Sequence, residues 1–171
     1  MLRAMLTFAS SGLDSMIKQL VRDALPEVIN LREGAHDKFQ GFVERRLRRG
    51  DGPDYSFVAA VMADPNPRSR LVNRLVGHLT SSSLQSVDEI LRVGSYFDIP
   101  SLKLIPDPNS ARKIFVARNQ IVHEMDIDFD RPNRNRRPRK KVDMVTRTQD
   151  LFAVAHRFLT EVDSQLDLER G

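Results

Sequence analysis

The chain contains 171 residues, of which 40% are hydrophobic and 29% are charged. That length predicts one domain large enough to bury a hydrophobic core, and the composition excludes an intrinsically disordered or fibrous protein. The absence of cysteine excludes disulfide bonds, thiolate zinc sites and cysteine nucleophiles, and it fits a reducing compartment. The first ten residues lack the features of a signal peptide, and no apolar run is long enough for a transmembrane helix. We therefore expect a cytoplasmic protein that contacts no membrane.

The formal net charge is +4, and it is distributed unevenly. Seven basic residues and no acidic residue lie between positions 131 and 141, so the rest of the chain is net negative. A local basic block of this kind can recognise a polyanion. Its members are Arg131, Arg134, Arg136, Arg137, Arg139, Lys140 and Lys141.

The N-terminal third predicts two helices. Residues 11–14, Ser-Gly-Leu-Asp, are typical of a helix start, and apolar residues then recur at helical spacing until Pro26, which should end or kink the helix. A second helix is predicted over residues 33–49, and the Gly-Asp-Gly-Pro sequence at 50–53 breaks it. One edge of the second helix is basic, and it is either a solvated face or a contact for RNA. This edge consists of Arg45, Arg46, Arg48 and Arg49.

Shorter elements follow in the middle of the chain. Residues 55–63 fit a helix or a strand, and the absence of an alternating partner favours the helix. Residues 64–67 predict a turn before a helix that ends at the three serines of 81–83. A shorter helix is predicted over 84–94.

The C-terminal half predicts a connection, two helices and a loop between them. Residues 97–106 contain two prolines and predict the connection, and residues 107–122 predict the first helix. Two prolines predict an exposed basic loop at about 128–142, after which Asp143 should cap a long final helix. No internal repeat and no convincing β-hairpin are present. The chain thus predicts a single domain over 1–171, an all-α bundle of about five or six helices.

Common catalytic motifs are missing from the sequence. It contains no glycine-rich phosphate loop, no Gly-x-Ser-x-Gly elbow and no His-Glu-x-x-His pair. Structural roles suffice for His36, His78 and His156. The pairing of His123 with Asp126, three residues further on, is too weak a pattern to predict a metal site. We therefore expect no metal ion and no cofactor.

His123 stands out because of the polar residues before it. Asn119 and His123 are four residues apart and share a helix face, whereas Arg118 lies about 140° around the helix from His123. An imidazole can move protons in the cleavage of RNA, a guanidinium can bind the phosphate and stabilise the transition state, and an amide can orient the imidazole or hold a phosphate oxygen. These residues by themselves fit two interpretations, a catalytic site and a structural polar edge of the helix.

The sequence from Arg118 to His123, with Asn119 after the arginine, resembles the Arg-x4-His signature of the HEPN superfamily. The order of elements and the serine-rich turn at 81–86 are most similar to the RiboL-PSP-HEPN branch, and the resemblance spans residues 8–168. It implies a HEPN-like fold and a metal-independent endoribonuclease with Arg118, Asn119 and His123 as catalytic residues. It also implies a homodimer whose cleft brings two imidazoles together.

The resemblance extends to partners. Many HEPN proteins act in toxin–antitoxin or anti-phage systems, which implies RNA as the substrate and an antitoxin or defence-system protein as a partner. The best-known HEPN toxins carry a tyrosine two residues after the motif histidine, and a partner nucleotidyltransferase modifies it. This chain has Met125 at that position. We therefore do not expect regulation through a modified tyrosine.

Alternative interpretations remain for the loop and for the whole chain. The basic block begins eight residues after His123 and either guides RNA phosphates to the cleft or forms a solvated loop that keeps the protein soluble. It lacks interleaved aromatic residues, so base stacking is not indicated. The whole chain could instead be a non-catalytic HEPN module that binds RNA or a nucleotide, or that serves as an assembly partner. A helical DNA-binding or adaptor protein unrelated to HEPN is the third interpretation.

Overall fold

The computed structural model describes residues 1–49, 52–130 and 132–167, and for residue 49 the backbone alone. The described ranges contain nine helices, so the predicted all-α class is confirmed, whereas the expected number of helices was too low because several are short. The helices are α1 (Leu2–Asp23), α2 (Leu25–Leu31), α3 (Glu33–Arg46), α4 (Tyr55–Met62), α5 (Pro67–Thr80), α6 (Val87–Tyr96), α7 (Ser101–Leu104), α8 (Pro108–His123) and α9 (Lys141–Asp167).

Two pieces of extended backbone interrupt the helices. Strands β1 (Arg48–Arg49) and β2 (Gly52–Pro53) pair antiparallel, with Arg48 opposite Pro53. A single antiparallel bridge joins Ile127 to Arg136. The sequence contains no convincing β-hairpin, and the pairing observed is confined to two residues in each strand. Helix α3 ends at Arg46, before β1, instead of at the predicted position 49.

Helix α1 begins ten residues earlier than a cap at Ser11 predicts. It starts at Leu2, and Ser10 and Ser11 lie inside it rather than at its N-cap. The reason is burial, because the apolar stripe continues upstream through Leu6 and Ala9, which pack into the core. Tertiary packing outweighs a local capping signal in such a case.

Most of the other local signals are confirmed. Pro26 lies in the first turn of α2, directly after the break at Ala24. Helices α4, α5 and α6 each begin after an N-cap side chain that accepts a hydrogen bond from the backbone N–H three residues further along. These caps are Asp54, Asn66 and Ser86. The connection predicted over 97–106 contains the short helix α7.

The core lies between α1 and α9, and the other helices close around this pair. The largest fully buried side chains include Phe97 and Phe158, whose rings meet edge to face with centroids 5.5 Å apart. Helix α8 packs against α1 and carries the candidate motif, and its N-terminus is capped by the Asp107 carboxylate. Helix α9 begins at Lys141, so Asp143 lies in its first turn instead of capping it. No helix in the described ranges combines the length and the apolar character needed to cross a bilayer.

Candidate functional site

The three candidate catalytic residues lie in the last two turns of α8. Asn119 and His123 are exposed on the same side of the helix, and His123 is its final residue. Arg118 is half-buried on the adjoining side, and its Nη1 donates a hydrogen bond to Asn119 Oδ1 at 3.0 Å. The long guanidinium side chain therefore reaches around the helix, and it fixes the orientation of the Asn119 amide.

Two groups at this site lack hydrogen-bond partners. The Nε atom of Arg118 is buried without a partner, and the His123 imidazole makes no hydrogen bond to any other described residue. A buried donor without a partner is costly and uncommon in folded proteins. The single chain thus holds an arginine with unused donor capacity and an imidazole that is open to solvent.

The chain reverses direction directly after His123. Met125 and Asp126 both have left-handed backbone, with φ of 50° and 60°, and the Asp126 amide donates to the carbonyl of Gln120 at 2.8 Å. Left-handed backbone at residues other than glycine costs about 1–3 kcal/mol each. The turn directs the Asp126 side chain into the protein, where 1% of it is exposed, and leaves the Met125 side chain 69% exposed.

Asp126 is the centre of a cluster of polar contacts. Its carboxylate accepts hydrogen bonds from Arg3 Nε at 2.6 Å and from Arg139 Nε at 2.9 and 3.0 Å. Burial by itself raises the pKa of this carboxyl, but the hydrogen bonds from Arg139 and Arg3 outweigh burial and lower the pKa below its ordinary value. Asp126 therefore remains ionised and holds the N-terminus of α1 against the end of α8.

Two arginines of the basic block belong to the same group of contacts. Arg139 Nη2 also donates to Gln120 Oε1 at 2.9 Å, inside the candidate motif. Arg137 pairs with Glu124, the residue after His123, and it donates to the carbonyl of Ile127 at 2.6 Å. We call these side chains the Asp126 cluster. It consists of Arg3, Gln120, Glu124, Asp126, Arg137 and Arg139.

The sequence predicts an exposed basic loop, and two of its arginines are only partly exposed. Within the predicted RNA-binding set, Arg137 and Arg139 are partly buried and neutralised by carboxylates of the same chain. Their contacts attach the loop to the motif helix because the acidic partners lie in the turn that follows α8. The Asp128 amide donates to the carbonyl of Asn135 at 2.9 Å, which closes the loop upon itself.

Four other basic residues of the block are exposed. None of them makes an ion pair with a carboxylate in the part of the chain that the structure describes. Arg131, the first of the seven predicted residues, lies outside the described residues. The exposed set consists of Arg134, Arg136, Lys140 and Lys141.

Sequence reasoning missed the Asp126 cluster. The pairing of His123 with Asp126 was considered only as a possible metal site, and the partners of Asp126 are remote in sequence. No group of three or more His, Cys, Asp or Glu side chains that could hold a metal ion is present within 1–49, 52–130 and 132–167. The acidic residues around Glu124, which an arginine-rich segment follows after a few residues, are the signal that could have indicated these ion pairs.

Comparison of the chain with protein-family models, with curated proteins and with solved structures returned no match. The fold class therefore rests on the structure, and any function rests on the site.

Proposed function

We propose that the protein is a metal-independent endoribonuclease whose catalytic residues are Arg118, Asn119 and His123. The observation that carries the proposal is the exposed imidazole at the end of α8, unpaired in the described part of the chain, next to an amide that an arginine orients. His123 presents an imidazole without a hydrogen-bond partner among the described residues, on the face that holds Asn119, and Arg118 orients that amide. The Asp126 cluster fixes the backbone on both sides of His123, as a preorganised site requires.

The proposed chemistry uses the substrate's own hydroxyl as the nucleophile. An imidazole removes the proton from a ribose 2′-hydroxyl, whose oxygen attacks the adjacent phosphorus while the bond to the 5′-oxygen breaks. A protonated imidazole returns a proton to that leaving oxygen. The products are a 2′,3′-cyclic phosphate and a 5′-hydroxyl end. Arg118 stabilises the additional negative charge that the phosphate carries in the transition state.

A base and an acid are needed, and each chain supplies one imidazole at this site. We therefore propose a homodimer in which two copies of α8 face each other across a two-fold axis. Val116 supports this arrangement because it lies on the face of Asn119 and His123 and is 54% exposed. An apolar side chain in that position suits a surface that a second copy covers.

The resemblance to HEPN proteins supports the biological setting of the proposal. We propose a cytoplasmic toxin or defence effector that acts on cellular or phage RNA, with an antitoxin or another defence-system protein as its partner.

A non-catalytic module that binds RNA or a nucleotide, or that serves as an assembly partner, is the second candidate. The sequence resemblance is compatible with it, because the motif residues can bind a phosphate without cleaving it. Such a module would bind its ligand without turnover.

An RNA cleavage assay in EDTA tests the proposal. Wild type should cut RNA and leave 2′,3′-cyclic phosphate ends, whereas His123→Ala should not. His156→Ala is the matched control, because His156 is also exposed on a helix but lies on α9, outside the motif. Equal cleavage by wild type and His123→Ala would contradict the site assignment, and RNA binding without cleavage by wild type would favour the second candidate.

A further inference from the structure

A second cationic surface lies where the C-terminal ends of α3 and α5 meet α6. Arg45 and Arg46 belong to the last turn of α3, and His78 belongs to the last turn of α5. The Arg46 guanidinium lies 5.4 Å from the centre of the Phe42 ring, and its Nη2 is 3.5 Å from His78 Nδ1. The imidazole in turn stacks on Phe42 with ring centres 5.5 Å apart.

These two arginines are held in place by neutral groups. Arg45 Nη2 donates to the hydroxyl of Tyr96 at 3.3 Å, and Arg46 lies against the ring of Phe42 and the imidazole of His78. Neither arginine forms an ion pair with a carboxylate in the described part of the chain. Arg137 and Arg139, in contrast, are neutralised by carboxylates. The positive charge of Arg45 and Arg46 is therefore oriented without being compensated.

The carboxylates on the neighbouring surface already have other partners. Glu44 accepts a hydrogen bond from Gln40 at 3.0 Å, and Glu89 pairs with Arg92 at 2.7 Å. The pKa of His78 is lowered by burial and by the charges of Arg46, Arg92 and Arg45, and Glu89 opposes this only in part. The imidazole is thus neutral and can accept the hydrogen bond from Arg46.

Oriented guanidinium groups without carboxylate partners are suited to phosphate, because their paired donors match two phosphate oxygens. Phe42 is buried, so this surface offers no exposed ring on which a base could stack. Arg48, two residues beyond the end of α3, is also exposed. Such a surface contacts the backbone of a nucleic acid and does not read its sequence.

We propose that Arg45 and Arg46, positioned by His78, Phe42 and Tyr96, bind the phosphates of an RNA strand at a second site on helices other than α8. The choice of RNA as the ligand rests on the proposed ribonuclease function. This site anchors the strand independently of base sequence and raises the residence time of the substrate on the enzyme.

The test measures binding of a labelled 2′-O-methyl RNA over a series of KCl concentrations. This probe lacks the nucleophilic hydroxyl and is not cut, so the wild-type protein can be used. The double variant Arg45→Gln/Arg46→Gln should weaken binding equally for RNAs of different sequence. It should also reduce the slope of log K against log salt by about 0.7 for each lost phosphate contact.

A control variant separates the site from the total charge. Arg22→Gln/Lys38→Gln also removes two positive charges, from exposed positions of α1 and α3, and should leave the slope unchanged. Arg45→Lys/Arg46→Lys keeps the charges and should retain most of the slope. If the two arginines only stabilise the end of α3, the glutamine variant lowers the melting temperature and leaves the slope as in wild type, and the inference is overturned.

The two proposals can fail separately. Absence of wild-type binding, or equal loss in the control variant, overturns the phosphate site whatever the cleavage assay gives. Binding that depends on Arg45 and Arg46 supports the site even if wild type does not cleave RNA, in which case the catalytic proposal alone is abandoned.

Discussion

Arg139 donates to both carboxylate oxygens of Asp126, with Nε at 2.9 Å from Oδ1 and 3.0 Å from Oδ2. The pair is nearly buried, with 11% of the Arg139 side chain and 1% of the Asp126 side chain exposed. It joins the arginine-rich loop to the turn that ends α8. The position of His123 is consequently determined by the loop and by α1 as well as by its own helix.

The Asp126 cluster should contribute strongly to stability. Asp126→Asn removes the charge that compensates Arg3 and Arg139, and breaking a buried ion pair by removing one partner costs about 3–5 kcal/mol. We expect a loss near the lower end of that range because Arg3 is partly exposed. Urea unfolding measures it. Asp88→Asn, which removes the exposed partner of Arg112, is the control and should change the free energy of unfolding by less than about 1 kcal/mol.

The same cluster predicts a loss of stability in acid. The pKa of Asp126 is lower in the folded protein than its ordinary value of 3.8, so its contribution is fully present above that value. The contribution is lost as the pH falls from 3.8 through the folded pKa. Unfolding curves of wild type and Asp126→Asn should therefore converge below pH 3.8 and stay separated at neutral pH. A difference that is constant over the whole pH range would contradict this origin of the stability.

Arg118 should affect catalysis more than folding. Arg118→Gln removes the charge that stabilises the transition state, and loss of one such donor lowers rates by about 10²–10³-fold. Single-turnover RNA cleavage measures the effect, and circular dichroism checks that the helical content is retained. An equal loss of helicity and activity would identify Arg118 as a structural residue.

The exposed face of α8 should be required for dimer formation. Val116→Asp places a charge on the surface that we propose to be covered by the second copy, so the dimer should dissociate and cleavage should be lost together. Sedimentation equilibrium measures the molecular mass. Met62→Asp is the control, because Met62 is also an exposed apolar side chain but lies on α4. A wild-type protein that is monomeric at all concentrations would exclude the two-imidazole site.

The exposed arginines and the ion-paired arginines of the basic block should respond differently to substitution. Arg134→Gln/Arg136→Gln should lower the affinity for RNA and its salt dependence without changing the melting temperature, because both side chains are exposed. Arg139→Gln should lower the melting temperature, because Asp126 and Gln120 lose a partner. The combination of salt titration and thermal unfolding distinguishes the two effects. An unchanged salt dependence in the first variant would assign Arg134 and Arg136 to a solvated loop.

Much of the helical architecture follows from local sequence. The breaks at Pro26 and before α5, the cap of α8 by Asp107 and the helix that carries Arg118, Asn119 and His123 all depend on neighbours within a few residues. Backbone restriction by proline, side-chain caps and apolar spacing act over that distance. These features could therefore be predicted without knowledge of the fold.

Only the tertiary structure decided the rest. Helix α1 begins at Leu2 because its first turns pack into the core, and the loop arginines divide into two groups because Arg137 and Arg139 meet carboxylates at the end of α8. Arg3 and Asp126 are 123 positions apart in the chain, yet their side chains lie 2.6 Å apart. Burial and ion pairing depend on which distant segments the fold brings together, and the local sequence around each residue carries no record of that proximity.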